Sequence, residues 1–227
     1  AVGFRAKVKV MATDSPKYKA FGSGVFETSV GRLLFNSILP KDFPFINEEI
    51  NVKKMQSLVD NLINHYGMEE IPDIMDKIKD FGYKYATVSG TTWGIDDVKV
   101  HPKKEEIVAE GRKRAEEVTA NYNEGLLSED ERYEMTLEVW YDVINKIEKL
   151  IPETLNKHGS VYDLLNSGAR ASVKQINQMS GMKGLIINTA GRTIDFPIVP
   201  SYKEGLSPIE YFITTHGARK GLADTAL

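Results

Sequence analysis

The chain has 227 residues, of which 41% are hydrophobic and 27% charged, and its net charge is −3. This composition is ordinary for a globular protein, which excludes wholesale disorder and allows one large domain or two small ones. A nucleic-acid binder that stands alone is usually basic, so the overall charge does not support one. Because cysteine is absent, disulfide scaffolds, thiolate zinc sites and cysteine nucleophiles are excluded. No apolar run approaches the roughly 20 residues that span a bilayer, and we expect no membrane partner.

The N-terminal part predicts a mixture of short strands and helices. Over residues 4–10 apolar and basic side chains alternate, which is the period of a half-buried strand with its basic side outward. Further along the chain the pattern predicts four elements: a strand or short helix over 28–39, a helix over 48–66 that ends at Gly67, a short helix over 72–81 and a short strand over 83–88.

The clearest prediction is an antiparallel helical hairpin. Helical spacing begins near Lys103 and is broken at 123–125, after which Ser128 and Glu131 form a capping box. In the second helix the apolar residues recur at alternating steps of four and three, as in a coiled-coil seam: Tyr133, Leu137, Trp140, Ile144, Ile147 and Ile151. Neither helix has a wide apolar face, so we expect the hairpin to project from the body.

The predicted hairpin is acidic. Residues 103–157 hold 9 Lys or Arg and 14 Asp or Glu, so this segment carries −5 while the remaining residues carry +2. Glu129, Asp130 and Glu131 cluster at the tip. Acidic side chains at a helix N-terminus are either a solvated face that suits the helix dipole or a docking surface for a basic partner, and the pattern alone leaves both open.

The C-terminal part predicts a polar helix over 167–178, a loop over 180–192 and a last helix that begins at Ser207-Pro208. Gly217 and Gly221 lie four residues apart inside that last helix. Glycine destabilises a helix interior, so the pair indicates a bend, the close approach of a ligand or another backbone, or a tight contact between helices.

The sequence predicts no catalytic residue and no metal ligand. Asp80-Phe81-Gly82 copies a kinase motif without its companion motifs, and the four histidines lack metal-ligand spacing. Asp96-Asp97 either hold a metal or bond the backbone of their own glycine-containing turn. By contrast, Arg219 and Lys220 lie beside two glycines on a helix, where they are either contacts for nucleic-acid phosphates or an exposed basic turn.

The stretch 211–227, which reads YFITTHGARKGLADTAL, closely resembles the first part of the bridge helix in the largest subunit, β′, of bacterial multisubunit RNA polymerases. Further landmarks of that family occur upstream in the same order, so the resemblance covers essentially the whole chain: Thr28–Arg32, Ile38–Lys41, Ser89-Gly90, Gly94–Asp97, Ser167–Arg170, Gly181–Leu185 and Lys203–Leu206.

Pattern and resemblance together predict a mostly helical α+β chain in four parts. These are a small mixed pore-type domain over 1–102, the projecting hairpin or rim coiled coil over 103–157, a funnel and loop region supporting the bridge helix over 158–206, and a truncated long helix, the start of the bridge helix, over 207–227. In the family these parts surround the secondary channel, the route by which nucleoside triphosphates are thought to reach the active centre.

The resemblance also implies roles for particular residues. It implies nucleic-acid contact by His216, Arg219 and Lys220, flexing of the bridge helix at Gly217 and Gly221, and lining of the channel by Arg170, Lys174 and Gln175. In the family the rim coiled coil docks regulators that insert into the channel, including Gre-type cleavage factors. This favours the docking interpretation of the acidic tip, with Glu129, Asp130, Glu131 and Glu138 as the docking residues.

The partners implied by the resemblance are the remainder of β′, β and the other polymerase subunits, the DNA template with its RNA–DNA hybrid, nucleoside triphosphates and channel regulators, all in the cytoplasm. The family's magnesium motif, Asn-Ala-Asp-Phe-Asp-Gly-Asp, and its trigger loop are absent from the sequence. We therefore expect no cofactor on this segment and no RNA synthesis by it alone, with Mg²⁺ bound elsewhere in the complete enzyme.

Three residues depart from the pattern of the family. Asn177 stands where many relatives carry a basic residue, so one channel-lining charge is not expected here. Glu134 and Met135 differ from the polar and basic pair of relatives that bind the stringent-response nucleotide, so binding of that alarmone is not expected either.

Two other interpretations stay open at this point. One is a free-standing helical-hairpin interaction module derived from β′ without catalysis, and the other is a phosphate-binding enzyme built on the glycine loops. The last helical pattern runs to the final residue without a glycine cap or a proline, which is expected either of a longer parent chain or of a frayed terminal helix.

Overall fold

The structure is a computed structural model that describes residues 3–22 and 24–226. It confirms a mostly helical α+β chain, with a two-stranded antiparallel sheet and several long helices. The chain divides into two compact units: the first runs to Thr92 and includes Ser167–Ala169, and the second holds the rest of the chain from Trp93 onward. Each unit has hydrophobic clusters of its own and is described by itself.

The sheet of the first unit pairs β1, Lys7–Met11, with β2, Val25–Ser29, and Lys7 lies opposite Ser29. The lysines of β1 point to solvent, as the alternating pattern predicted. The chain passes directly from β2 into helix α1, Val30–Ile38, where the Ser29 side chain accepts a hydrogen bond from the backbone N–H of Arg32. The segment predicted as a strand or a short helix is therefore the end of a strand followed by a helix.

Helix α2, Val52–Ser89, is broken at Gly67, whose φ of 71° and ψ of −176° are not helical. Glycine adopts a positive φ at little cost, so the predicted helix end at this residue is confirmed. The prediction of a strand over 83–88 was wrong, because the helix continues to Ser89. Tyr85 lies one turn after Phe81 and their rings pack 4.5 Å apart, a contact that a helix allows and a strand does not.

The second unit contains the predicted hairpin, formed by α3, Lys104–Asn123, and α4, Glu129–Thr154. The capping box of Ser128 and Glu131 is present at the start of α4. The seam is confirmed, but the buried face of α4 is wider than predicted, since Thr136, Val139 and Val143 are buried as well. The additional surface is covered by other parts of the unit, so the hairpin does not stand free along that side.

Three further helices follow, and all lie in the second unit except for Ser167 at the end of the first: α5, Ser160–Ser167, α6, Val173–Ser180, and α7, Pro208–Ala226. One helix over 167–178 was predicted, and this was wrong because Gly168 takes a positive φ of 68° and Ser172 caps a new helix. Residues 184–198 fold back on themselves through antiparallel bridges between Gly184 and Ile198 and between Ile187 and Thr193. We call residues 184–198 the ribbon.

Within the described residues, none of the helices is both long enough and apolar enough to cross a membrane.

Candidate functional site

The predicted nucleic-acid contacts lie close together on α7. Arg219 is exposed, and the Nζ atom of Lys220 lies 3.1 Å from an oxygen of Asp224, one turn further on. The ring of His216 packs edge-on against Phe212, and its Nδ1 atom is buried without a hydrogen-bond partner in the described part of the chain. Arg219 therefore offers the guanidinium best placed for a phosphate, since it forms no ion pair with another described residue.

Helix α7 has no buried residue among those the structure describes. Four large apolar side chains along it are each at least 60% exposed: Ile209, Tyr211, Phe212 and Leu222. An apolar surface of this extent on one helix is typical of a place where another molecule or another part of a protein packs. Its basic residues thus belong to a helix whose sides remain available for contact.

The glycines of α7 differ in their surroundings. A Cβ atom at Gly217 would lie 3.6 Å from Cγ2 of Ile186, whereas at Gly221 it would meet nothing within 4 Å. A Cβ at Gly217 would thus make an ordinary van der Waals contact with the ribbon, so neither position needs glycine for lack of space, and the close approach indicated by the sequence stays a prediction. Both residues lie inside a continuous helix, and their flexing stays a prediction.

The residues predicted to line a channel lie around α6. Arg170 and Lys174 are exposed, whereas the side-chain oxygen of Gln175 accepts a hydrogen bond from the backbone N–H of Ser172 at 3.0 Å. Gln175 thus completes a capping box, which gives it a structural role in addition to any contact with a channel.

Asn177, one of the three residues noted in the sequence analysis, is only 2% exposed. Its side-chain oxygen accepts a hydrogen bond from the backbone N–H of Met182 at 3.3 Å. A Cβ at Gly181 would come far closer to that oxygen than 3.0 Å, so glycine is needed beside it. A charge at this position would be buried, which explains why a neutral amide fits.

The acidic residues of the hairpin tip fall into two groups. Glu131 accepts hydrogen bonds from the backbone N–H and the hydroxyl of Ser128, at 2.8 and 2.7 Å, and these hold the pKa of Glu131 below its ordinary value. Hydrogen bonds from Arg132, at 2.6 and 3.1 Å, likewise lower the pKa of Glu129. Asp130 and Glu138 are exposed and form no ion pair with any residue described, so their charges are available to a partner.

Sequence reasoning missed a cluster at the tip. The Arg132 guanidinium lies 3.2 Å from a carboxylate oxygen of Asp195, and the Tyr133 hydroxyl donates to the backbone oxygen of Thr193 at 2.8 Å. The guanidinium of Arg192 lies 4.3 Å from the centre of the Tyr133 ring, within the range of a cation–π contact. We call Arg132, Tyr133, Arg192, Thr193 and Asp195 the tip cluster. Its members lie about 60 residues apart in the chain, and no local pattern joins them.

The adjacent residues Asp96 and Asp97 have different partners. A carboxylate oxygen of Asp97 accepts the backbone N–H of Gly94 at 2.7 Å, which is the local turn bond, and Asp96 lies 3.8 Å from the Nζ of Lys203. No group of three or more potential metal-ligating side chains is assembled within residues 3–22 and 24–226.

Comparison with known proteins places this sequence in one class. A family model described as RNA polymerase Rpb1, domain 3, matches residues 4–98, and one described as RNA polymerase Rpb1, domain 4, matches residues 110–211. Two successive domains of one RNA polymerase subunit thus account for most of the chain, in their expected order.

The relatives agree with the family models. The DNA-directed RNA polymerase subunit beta′ of Pelotomaculum thermopropionicum is 40% identical over 227 residues, which is 100% of this chain and 19% of that protein. The subunit beta′ of Moorella thermoacetica is 42% identical over 228 residues, with the same coverage, and that of Thermosipho africanus is 40% identical over 205 residues, which is 89% of this chain and 12% of that protein. The chain belongs to the RNA polymerase Rpb1 family, which includes bacterial β′. It spans about a fifth or less of the length of these relatives.

Proposed function

We propose that this chain takes part in DNA-directed RNA synthesis as a portion of β′, together with the remainder of β′, β and the other subunits. In this role it shapes the secondary channel through which nucleoside triphosphates enter, and α7 begins the bridge helix beside the template and the RNA–DNA hybrid. The observation that carries the proposal is α7 itself. This helix combines exposed apolar flanks with Arg219, which pairs with none of the residues the structure describes, inside a chain that matches β′ over its full length.

In this role α7 positions the nucleic acid through contacts with its phosphates. A guanidinium presents several donors in a planar fork that suits phosphate oxygens, and such contacts fix the register of a nucleic acid without reading its sequence. Lys220 already has Asp224 as a partner, so its ammonium is partly neutralised and contributes less.

In a polymerase assembled with this chain in its subunit, Arg219→Ala is expected to slow elongation about fivefold without preventing assembly, because one phosphate contact is lost. Arg219→Lys, which keeps the charge, should retain most of the rate. The measurement is the rate of single-nucleotide addition at several salt concentrations, where loss of a phosphate contact also flattens the salt dependence. A normal elongation rate in Arg219→Ala would refute the role of this residue.

We further propose that the hairpin tip docks the basic surface of a channel regulator through Asp130 and Glu138. Both side chains lie on the exposed side of α4, and charge complementarity steers and orients such an encounter. Glu129 and Glu131 contribute to the negative potential, but their first role is to hold the tip together.

Reversing both free charges, Asp130→Lys with Glu138→Lys, is expected to weaken binding of a cleavage factor to the assembled polymerase about tenfold. The matched control is Glu117→Lys, which changes an exposed carboxylate of α3 that has no ion pair in the described chain. Titration of a labelled factor measures the dissociation constants. Equal affinity in the double variant and the parent would exclude these two side chains as docking residues.

A further inference from the structure

A groove in the first unit lies between α2 and the non-helical segment that precedes it. Its volume is about 790 Å³, and it is lined by residues 43–48 and Ile50 on one side and by one face of α2, from Lys54 to His65, on the other. We call this space the α2 groove. None of the residues assigned to nucleic acid, channel or regulator lines it, so the groove has no role in the function proposed so far.

The buried lining of the α2 groove is apolar. Phe43 and Phe45 are each 8% exposed and Leu58 is 5% exposed, while Ile46 and Ile50 are half-buried beside them. Such a lining favours apolar groups of an occupant, because their contact with it removes further apolar surface from water.

The wall that precedes α2 has backbone groups to offer. The backbone N–H groups of Phe45 and Ile46 are used within the unit, where they donate at 2.8 Å to the backbone oxygen of Lys17 and to the side-chain oxygen of Asn36. Further along, the backbone groups of three residues form no hydrogen bond with another described residue: Asn47, Glu48 and Ile50. Since backbone groups need a partner when water is excluded, these are suited to bind an occupant.

The opposite wall is a stripe of polar side chains on α2. Ser57, Asn61 and Asn64 follow one another at steps of four and three residues, so they share one face of the helix, and all three are exposed. The Ser57 hydroxyl donates to the backbone oxygen of Lys53 at 3.3 Å. The side chains of Asn61 and Asn64 form no hydrogen bond within the described part of the chain, so both amides are available.

The charged side chains at the groove have partners already. Lys54 forms an ion pair with Glu48, and Nε2 of His65 lies 3.7 Å from a carboxylate oxygen of Asp42. A charged ligand would therefore have to compete with these pairs, whereas a neutral ligand would not. Each peptide unit of a polypeptide is neutral and carries one donor and one acceptor, which is also what an asparagine amide carries.

We propose that the α2 groove binds an extended segment of the remainder of β′, whose main chain bonds to Asn61, Asn64 and the free backbone groups at 47–50. Side chains of an extended segment alternate in direction, so apolar residues at alternate positions would face Phe43, Phe45 and Leu58. From Lys54 to His65 the helix rises about 17 Å, which an extended chain covers with about five residues.

The remainder of β′ is the source because it belongs to the same polypeptide. This chain spans about a fifth or less of the length of its relatives, so most of such a protein lies outside the matched segment. A segment tethered in this way has a far higher effective concentration at the groove than a separate protein has. The assignment rests on the proposed function, in which the remainder of β′ is a partner of this chain.

The experiment is site-specific photo-cross-linking in the polymerase assembled with this chain. Photoreactive benzoylphenylalanine replaces Ser57, which lies in the groove, and mass spectrometry identifies the cross-linked peptide after irradiation. The matched control has the same residue at Gln56, which is exposed on α2 but does not line the groove. We expect one segment of the remainder of β′, apolar at alternate positions, to cross-link from position 57 and not from position 56.

A second pair of variants tests the amides. Asn61→Ala with Asn64→Ala is expected to lower the yield of that cross-link about fivefold, a loss that tethering limits because the segment stays close. Gln56→Ala in the same background should leave the yield unchanged. Both asparagines are exposed and form no hydrogen bond with a described residue, so their replacement should not disturb the fold of the unit.

The presence of the chain in the purified polymerase is measured before irradiation and tests the proposed function separately. A chain that does not enter the polymerase would overturn both proposals. If the chain enters but position 57 cross-links to another subunit, to a separate protein or to nothing, the groove assignment is overturned while the proposed function stands. An unchanged yield in the double asparagine variant would overturn the assignment as well.

Discussion

Gly111→Ala is expected to lower the free energy of unfolding of the hairpin unit by about 2 kcal/mol, although alanine favours a helix by about 1 kcal/mol over glycine. A Cβ at Gly111 would come well inside 3.0 Å of Cγ2 of Val143 and would lie 3.6 Å from the Trp140 ring. Val143 is 1% exposed and β-branched, so it has neither space nor a free rotamer to move into. The two helices must separate or Val143 must adopt a strained rotamer.

The measurement is urea unfolding of the chain, followed both by circular dichroism, which reports the helices of both units, and by tryptophan fluorescence, to which Trp140 in the affected core contributes. Gly82→Ala is the matched control, because that residue also lies inside a helix but a Cβ there would meet nothing within 4 Å. Its stability should rise by about 0.5 to 1 kcal/mol. Replacing glycine by alanine is thus expected to lower the free energy of unfolding at position 111 and to raise it at position 82.

Val143→Ala provides a further check. Alone it leaves a cavity and should cost about 2 kcal/mol, but combined with Gly111→Ala the new methyl group occupies part of the vacated volume. The double variant should therefore be at least 1 kcal/mol more stable than the sum of the single effects predicts. Additive effects, or a Gly111→Ala variant as stable as Gly82→Ala, would show that the helices do not depend on this close contact.

Local signals in the sequence predicted much of the fold. The capping box at Ser128, the helix break at Gly67 and the start of the last helix at Pro208 all depend on residues a few positions apart, and all three are confirmed. The predicted strand at 83–88 was wrong because packing overrode propensity: the Tyr85 ring also packs edge-on against Phe4 at 5.5 Å, a contact that no local window of sequence shows.

In the candidate site, too, local sequence predicted some features, whereas distant contacts determined others. The acidic tip and the basic turn of α7 were found as runs of charge in the sequence, but which charges are free was decided by distant partners. Asp195 lies 63 residues from Arg132, and Ile186 is joined to Ile194 across a turn of irregular backbone. Contacts of this kind leave no periodic trace, so the ribbon was predicted only as a loop.

The largest effect on stability outside the helix contact is expected at the ion pair of Lys104 and Glu204, which joins the start of α3 to the segment before α7. Lys104 is 4% exposed, and one oxygen of Glu204 also accepts the backbone N–H and the hydroxyl of Ser201, at 2.8 and 2.7 Å. Glu204→Gln is expected to cost about 2 to 3 kcal/mol, near the lower end for a buried pair that loses one partner, because the carboxylate is partly exposed.

This pair also predicts a dependence of stability on pH. Burial raises the pKa of Glu204, but the hydrogen bonds from Lys104 and Ser201 outweigh burial and hold the pKa below its ordinary value. A carboxylate with a lowered folded pKa stabilises the folded state in full above its unfolded pKa of about 4.3, and this contribution is lost as the pH falls through the folded value. The difference in stability between the parent and Glu204→Gln should therefore shrink as the pH is lowered from 6 toward about 3.

Lys104→Met tests whether the cost comes from the uncompensated charge. In the Glu204→Gln background it removes the buried ammonium that has lost its partner, and it should restore at least half of the lost stability in urea unfolding at pH 7, since an apolar side chain needs no counter-charge. If the double variant is no more stable than Glu204→Gln, the loss arises from the bonds to Ser201. If Glu204→Gln lowers the free energy of unfolding by the same amount at every pH, the pKa of Glu204 is the same in the folded and unfolded states. The charge of the carboxylate then does not stabilise the fold.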